Sequence, residues 1–141
     1  MAASPLSNPA VQRFLASKSV AILATVQASG APLAMPMWFV HDDSAMVMIS
    51  EAGLQKVRNL RRDPRVCVVA EGEVDGVIAG VIVQGRAQFL ETETERDSYV
   101  EALHVKYRGL AERWGGRAMP SDRVMFRIDA DGVNAWGLNG A

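Results

Sequence analysis

The sequence predicts a mainly β domain with α: a closed or nearly closed antiparallel barrel of six or seven strands with two or three peripheral helices. Three observations predict it. Several β-rich runs are apolar at both phases, as strands covered on both faces would be. Short turn signals such as Ser29-Gly30 separate them, as antiparallel hairpins require. Two stretches, 53–62 and 92–114, switch to helical spacing.

The elements follow in order. Asn8-Pro9 reads as a helix start, a capping side chain followed by proline at the first helical position. Val11, Phe14 and Leu15 then fall at helical spacing. Residues 19–26 (SVAILATV) form the first strand and 33–40 (LAMPMWFV) the second, joined as a hairpin. Pro36 lies inside the second, so that position must be an edge, a bulge or a place where something other than a strand lies alongside. Residues 45–50 form the third strand. Leu54, Val57 and Leu60 make one stripe of a helix that Asp63-Pro64 ends. Residues 65–71 are a fourth strand, 72–76 break the pattern, and 77–90 resume it with Gln84, Arg86 and Gln88 on one polar phase. Thr92 and Glu95 have capping-box spacing and open a helix running to about Trp114. Residues 115–122 are a loop, and 123–138 make a last hairpin turning at 130–132. Two helices cannot cover every apolar outer face, so a homodimer is expected.

The 141 residues suit a single domain, 1–141, with its own core. Net charge is −1, which offers no global field for nucleic acid. The single cysteine, Cys67, leaves no disulfide framework and fits a reducing cytosol. The first ten residues show no signal-peptide pattern, and no apolar run approaches the ~20 residues of a membrane helix. A cytoplasmic protein with no membrane partner is expected. His41 and His104 are too far apart in sequence for a metal-ligand pattern, so no metal site is predicted.

The departure from this even composition is residues 50–66, SEAGLQKVRNLRRDPRV, with five cations against two anions. The helix here starts directly after the third strand. Its first N–H groups and its dipole make a seat for an anion. Ser50 can add a hydroxyl, and Lys56 lies in the first turn. Arg58 and Arg62, four apart, share a face. A solvated helix face accounts for the same residues without a ligand. The glycines of a phosphate-binding loop or dinucleotide fingerprint are missing.

Three pieces in this order and spacing, AILATVQASGAPLAMPMWFVHDD, KVRNLRRDPRV and VQGRAQFL, resemble the pyridoxamine 5′-phosphate oxidase-like, flavin-binding split-barrel superfamily. The likeness is nearest to its branch that uses the deazaflavin coenzyme F420. It runs from about Phe14 to Leu90 and returns weakly in VMFRIDADGVNAWGL. The resemblance implies a six-stranded split barrel that dimerises and holds two cofactors, F420 or FMN, in grooves at the interface. It implies that the ring lies along Met35, Pro36, Met37 and Trp38. It places the phosphate at Ser50, Lys56 and Arg58 or Asn59, Gln84 near the ring or its ribityl chain, and Trp136 near the partner's cofactor. Many relatives carry Ser-Arg-Lys where this chain has Leu54-Gln55-Lys56, so a hydroxyl and a bidentate guanidinium are lost from that seat. The long C-terminal extension of true pyridoxamine phosphate oxidases is not found, and that activity is not predicted.

The function implied is hydride transfer between such a cofactor and a small unsaturated organic substrate. The cofactor carries the chemistry, and no acid or base is nominated. The alternative is a non-catalytic binding or carrier barrel for FMN, haem or another tetrapyrrole. A decayed groove kept for structure is the third reading. Plainer roles stand beside these. His41 reads as an exposed turn residue or a proton donor, His104 as surface, and Cys67 as a core strand residue. Met35, Met37, Met46 and Met48 pack a core or line a ring, and Trp38 and Trp136 serve as core anchors or cofactor contacts. Substrate choice is expected from loops at 72–80 and 115–122.

Overall fold

A computed structural model describes residues 4–138; the ends of the predicted 1–141 domain lie outside the described residues. The elements are α1 (Pro9–Ala16), β1 (Ala21–Val26), β2 (Pro32–Met37), β3 (Phe39–His41), β4 (Ala45–Glu51), α2 (Gln55–Arg62), β5 (Arg65–Val74), β6 (Val77–Phe89), α3 (Glu93–Lys106), α4 (Leu110–Trp114) and β7 (Arg123–Trp136). The strands form one seven-stranded antiparallel sheet in the order β2-β1-β5-β6-β7-β4-β3.

The two edge strands, β2 and β3, are consecutive in sequence with only Trp38 between them. One intervening residue lets the flanking Cα atoms separate by no more than about 7 Å. The sheet must therefore curl until its edges meet at Trp38. It does so without a ladder between those edges among the described residues, which makes it a split barrel.

This geometry divides the single strand predicted over 33–40 into two, and it explains Pro36. Gln27 donates its N–H to the Ala31 carbonyl at 2.9 Å. That bond sets the phase of the hairpin, so Pro32 and Pro36 occupy positions whose donors would face away from β1. Proline there removes no ladder bond.

Three other expectations change. Residues 72–80 are not a loop: β5 and β6 stay paired to Val74↔Val77 and turn at Asp75-Gly76, both at positive φ (51° and 77°). Asp-Gly is the favoured pair for such a tight turn. Residues 123–138 are not a hairpin either. β7 is one strand in which Asp131 is extra, because Gln84 pairs Gly132 while Gly85 pairs Ala130. Aspartate and glycine mark bulges as well as turns. Gly85, in the QGR motif, is needed there: a Cβ would lie 2.0 Å from the Asp129 carbonyl oxygen. Finally, the helix predicted over 92–114 opens with the expected Thr92/Glu95 capping box but breaks at Tyr107, with Gly109 at φ 83° before α4. Tyr107 spends its side chain on the barrel instead. Its hydroxyl accepts from the Phe39 N–H at 2.8 Å and donates to the Ser19 carbonyl at 2.8 Å.

Two cores result. Inside the curl lie Leu15, Leu23, Phe39, Met46, Met48 and Phe126. On the other face of β3, β4 and β7, Val40, Val47 and Met125 meet Leu103, Tyr107 and Leu110 of the α3–α4 segment. The helices cover that half of the outer surface only. Across β2, β1, β5 and β6 a register row of Pro36, Ile22, Val69 and Ile82 faces outward, with Ile22 39% exposed. No described helix is long and apolar enough to cross a membrane.

Lys106 ties α3 to β3. Its Nζ donates to the Phe39 carbonyl at 2.8 Å and sits 3.5 Å over the Phe39 ring. No carboxylate pairs with it among the described residues. Burial lowers its pKa from the ordinary 10.5 to about 8. The folded chain then releases this proton at lower pH than the unfolded chain does, so unfolding takes up protons between those values. Stability is expected to rise as pH goes from about 8 towards 10.5. Urea titrations across that window should show the rise in the parent chain and a flatter profile in Lys106→Met.

Candidate functional site

The α2 helix is seated by one flank. Val57 and Leu60 are buried, and Asn59 is fully buried between them. Asn59 Nδ2 donates to Thr25 Oγ1 at 3.0 Å, and its Oδ1 accepts from Gln55 Nε2 at 2.8 Å. Both ends of the amide are thus occupied in holding α2 to β1. The stripe read from sequence is shifted at its start, because Leu54 is the N-cap and is 41% exposed. No side chain caps this N-terminus, which leaves the first amides of the helix open to water or a ligand.

This placement sets Lys56 beside a cavity of about 330 Å³. The α2 start forms one wall and α4 the other. The floor is Met37 and Trp38 at the crossing between sheet edges, together with Ile49 of β4. Five predicted residues meet here: Pro36, Met37, Trp38, Ser50 and Lys56. Ser50 is buried, and its hydroxyl donates to the Glu51 carbonyl at 3.0 Å.

Lys56 is the unusual member. It is only 8% exposed, and its Nζ donates to Met37 Sδ at 3.2 Å. A thioether is a weak acceptor. Among the described residues no carboxylate lies within ion-pair distance. Burial lowers its pKa, and the more distant Glu51 charge offsets part of that. A buried ammonium without an anion is costly. This one borders open space that an anion could enter.

The other predicted residues lie outside the lining. Met35 packs against the inner core. Asn59 is the clamp already described. Arg58 turns back on its own helix, donating to the Gly53 carbonyl at 2.6 Å and to Gln55 Oε1 at 2.7 Å. Gln84 and Trp136 are exposed on β6 and β7, on the same outward face as Ile22 and Val69. Trp136 lies across Gly80, where a Cβ would come within 2.4 Å of its ring.

Trp38 combines both roles considered for it. It stacks on Tyr107 with centroids 4.2 Å apart and planes within 5°. It also lines the cavity, with the Arg113 guanidinium 5.5 Å from its centroid. Sequence reasoning missed Arg113, Trp114 and Arg123, which also line it. No local pattern marks them, because they reach the site through the break at Tyr107 and the start of β7. Arg123 is already engaged, 2.7 Å from Asp122 and 3.8 Å from Glu51.

The remaining candidates stand apart. His41 is not an exposed turn residue: it is half-buried on β3, with Nδ1 3.0 Å from Gln12 Oε1, and burial lowers its pKa. His104 is half-buried too, edge-on to Trp114 at 5.3 Å and 2.9 Å from the Arg117 carbonyl. Cys67 is half-buried on the outward face rather than in the core, and burial raises its pKa. Among the described residues, no group of three or more His, Cys, Asp or Glu could hold a metal ion.

Residues 7–137 match the protein family described as pyridoxamine 5′-phosphate oxidase. No curated protein matches the chain. Among solved structures, the conserved hypothetical protein Rv2991 of Mycobacterium tuberculosis is 28% identical, with a TM-score of 0.79 over 96% of this chain and 88% of that one. HutZ, the haem storage protein of Vibrio cholerae, is 17% identical, with a TM-score of 0.78 over 94% and 96%. An FAD-binding protein of Mesorhizobium loti is 23% identical, with a TM-score of 0.70 over 87% and 88%.

Proposed function

Because the chain belongs to the pyridoxamine 5′-phosphate oxidase family, we propose that its cavity binds a phosphorylated flavin-type cofactor, F420 or FMN, and that the protein is an oxidoreductase. The observation that carries this reading is the buried ammonium of Lys56, which borders the cavity with a thioether as its hydrogen-bond acceptor. The uncapped α2 terminus beside it adds open N–H donors and the positive end of a helix dipole. Ser50 completes the phosphate seat. Pro36, Met37 and Trp38 supply an apolar surface for the ring.

When bound, the cofactor supplies hydride transfer to or from a small unsaturated organic substrate. The chain's own contribution is to bind, orient and exclude water. Glu51 is the single carboxylic acid in the cavity lining and is already near Arg123, so no proton-transfer role is assigned to it. A haem iron would need an axial ligand. The described lining holds no histidine, cysteine or tyrosine, and Met37 already accepts from Lys56. The lining therefore suits a flavin-type ligand better than haem.

A homodimer completes the proposal. Pro36 belongs both to the cavity rim and to the outward apolar row. A second copy seated on that row would cover Ile22, Val69 and Ile82 beside the cavity mouth, on the face where Gln84 and Trp136 also lie. Light scattering should report a dimer for the parent chain and a monomer for Val69→Arg. Titration with FMN and with F420 separately tests the binding. Saturable quenching of tryptophan fluorescence by either supports it, and no response to both overturns it. A panel of unsaturated substrates with the cofactor that binds then separates an oxidoreductase from a carrier.

A further inference from the structure

Lys56 is matched across the cavity by a second cation without an anion. Arg113 lies on α4, the five-residue helix between Gly109 and Gly115, whose positive φ values of 83° and 71° set its entry and exit. The guanidinium lines the cavity and lies 5.5 Å from the Trp38 centroid. Among the described residues it has no carboxylate partner and no side-chain hydrogen bond, whereas Arg123, Arg117, Arg61 and Arg65 each have an ion pair. For contrast, Arg61 packs at 3.6 Å on the Phe89 ring. At 5.5 Å, Arg113 is not in packing contact with Trp38, and its fork of donors stays open. The Trp38 ring is held from behind by Tyr107, so this floor cannot fold away to fill the gap.

We propose that Arg113 is a second anion-binding residue, and that the cavity's ligand is a planar molecule with two separated anionic groups. Lys56 takes one at the α2 wall and Arg113 the other at the α4 wall, with the apolar body across Met37 and Trp38. A guanidinium holds a carboxylate or phosphodiester with two parallel bonds. This rests on the flavin-type reading above and narrows it. F420, with a phosphodiester and an acidic tail, and FAD, with a pyrophosphate, carry the second anion; FMN carries one phosphate.

The test is calorimetric titration of the parent chain, Arg113→Ala, Arg113→Lys and Lys56→Ala with FMN, FAD and F420. Circular dichroism first establishes that each variant is folded; Arg113 is exposed, so its variants should be. Arg113→Ala should weaken F420 or FAD about tenfold while leaving FMN unchanged. Arg113→Lys should recover part of that loss, and Lys56→Ala should weaken all three. Equal affinity of Arg113→Ala and the parent for F420 and FAD, with FMN still bound through Lys56, overturns the second seat and leaves the cofactor reading intact. A parent chain that binds none of the three overturns both.

Discussion

Lys56→Met is expected to separate ligand binding from folding, in opposite directions. Affinity for FMN or F420 should fall by about 1.5–3 kcal/mol, the value of a hydrogen bond to a charged group. Riboflavin, which has no phosphate, should bind the two proteins alike. Stability of the ligand-free chain should rise by about 1 kcal/mol. The variant removes a desolvated cation that has only Met37 Sδ as acceptor and puts a side chain of similar length against the same apolar floor. Urea denaturation and fluorescence titration on the same samples read both quantities. If Lys56 serves only the fold, the variant will lose stability and keep its affinity, and the phosphate seat is wrong.

Asn59→Ala should be the more damaging change to the fold. It removes two hydrogen bonds and leaves Thr25 Oγ1, on a residue 2% exposed, without its donor. It also opens a small void at a fully buried position. Together these should lower the unfolding free energy by about 2–4 kcal/mol. The resemblance places Asn59 among the phosphate ligands, but its amide is occupied at both ends. Affinity for FMN or F420 per folded molecule should therefore change much less than in Lys56→Met. A variant with parental stability and a lost ligand would reverse that assignment.

These two residues show where reading the sequence stops. Both lie in KVRNLRR, and composition marks the segment as basic without ranking its members. Lys56 and Arg58 differ by two positions, about 200° around a helix. That rotation sends one into the cavity and the other back to the Gly53 carbonyl. Local spacing could choose between them only with knowledge of which flank docks, and Asn59 decides that by reaching Thr25 on β1, 34 positions away. The break at Tyr107 is similar. The periodicity from Thr92 to Trp114 is helical throughout, but the hydroxyl of Tyr107 is worth more bonded to Phe39 and Ser19 than left on a continuous helix.

Within its own pattern the chain determined a good deal. Both-phase apolar strands, the Asn8 and Thr92 caps, the Asp63-Pro64 stop and the proline at an edge follow from local chemistry, and together they require an antiparallel barrel with an anion-attracting helix after its fourth strand. Tertiary structure alone decided that Trp38 is the seam between the sheet edges, that α4 returns Arg113 to the wall opposite Lys56, and that the outward face of β1, β5 and β6 stays bare. Propensity and periodicity act over a few residues. The cavity is made by groups far apart in the chain, whose meeting depends on the curl of the whole sheet.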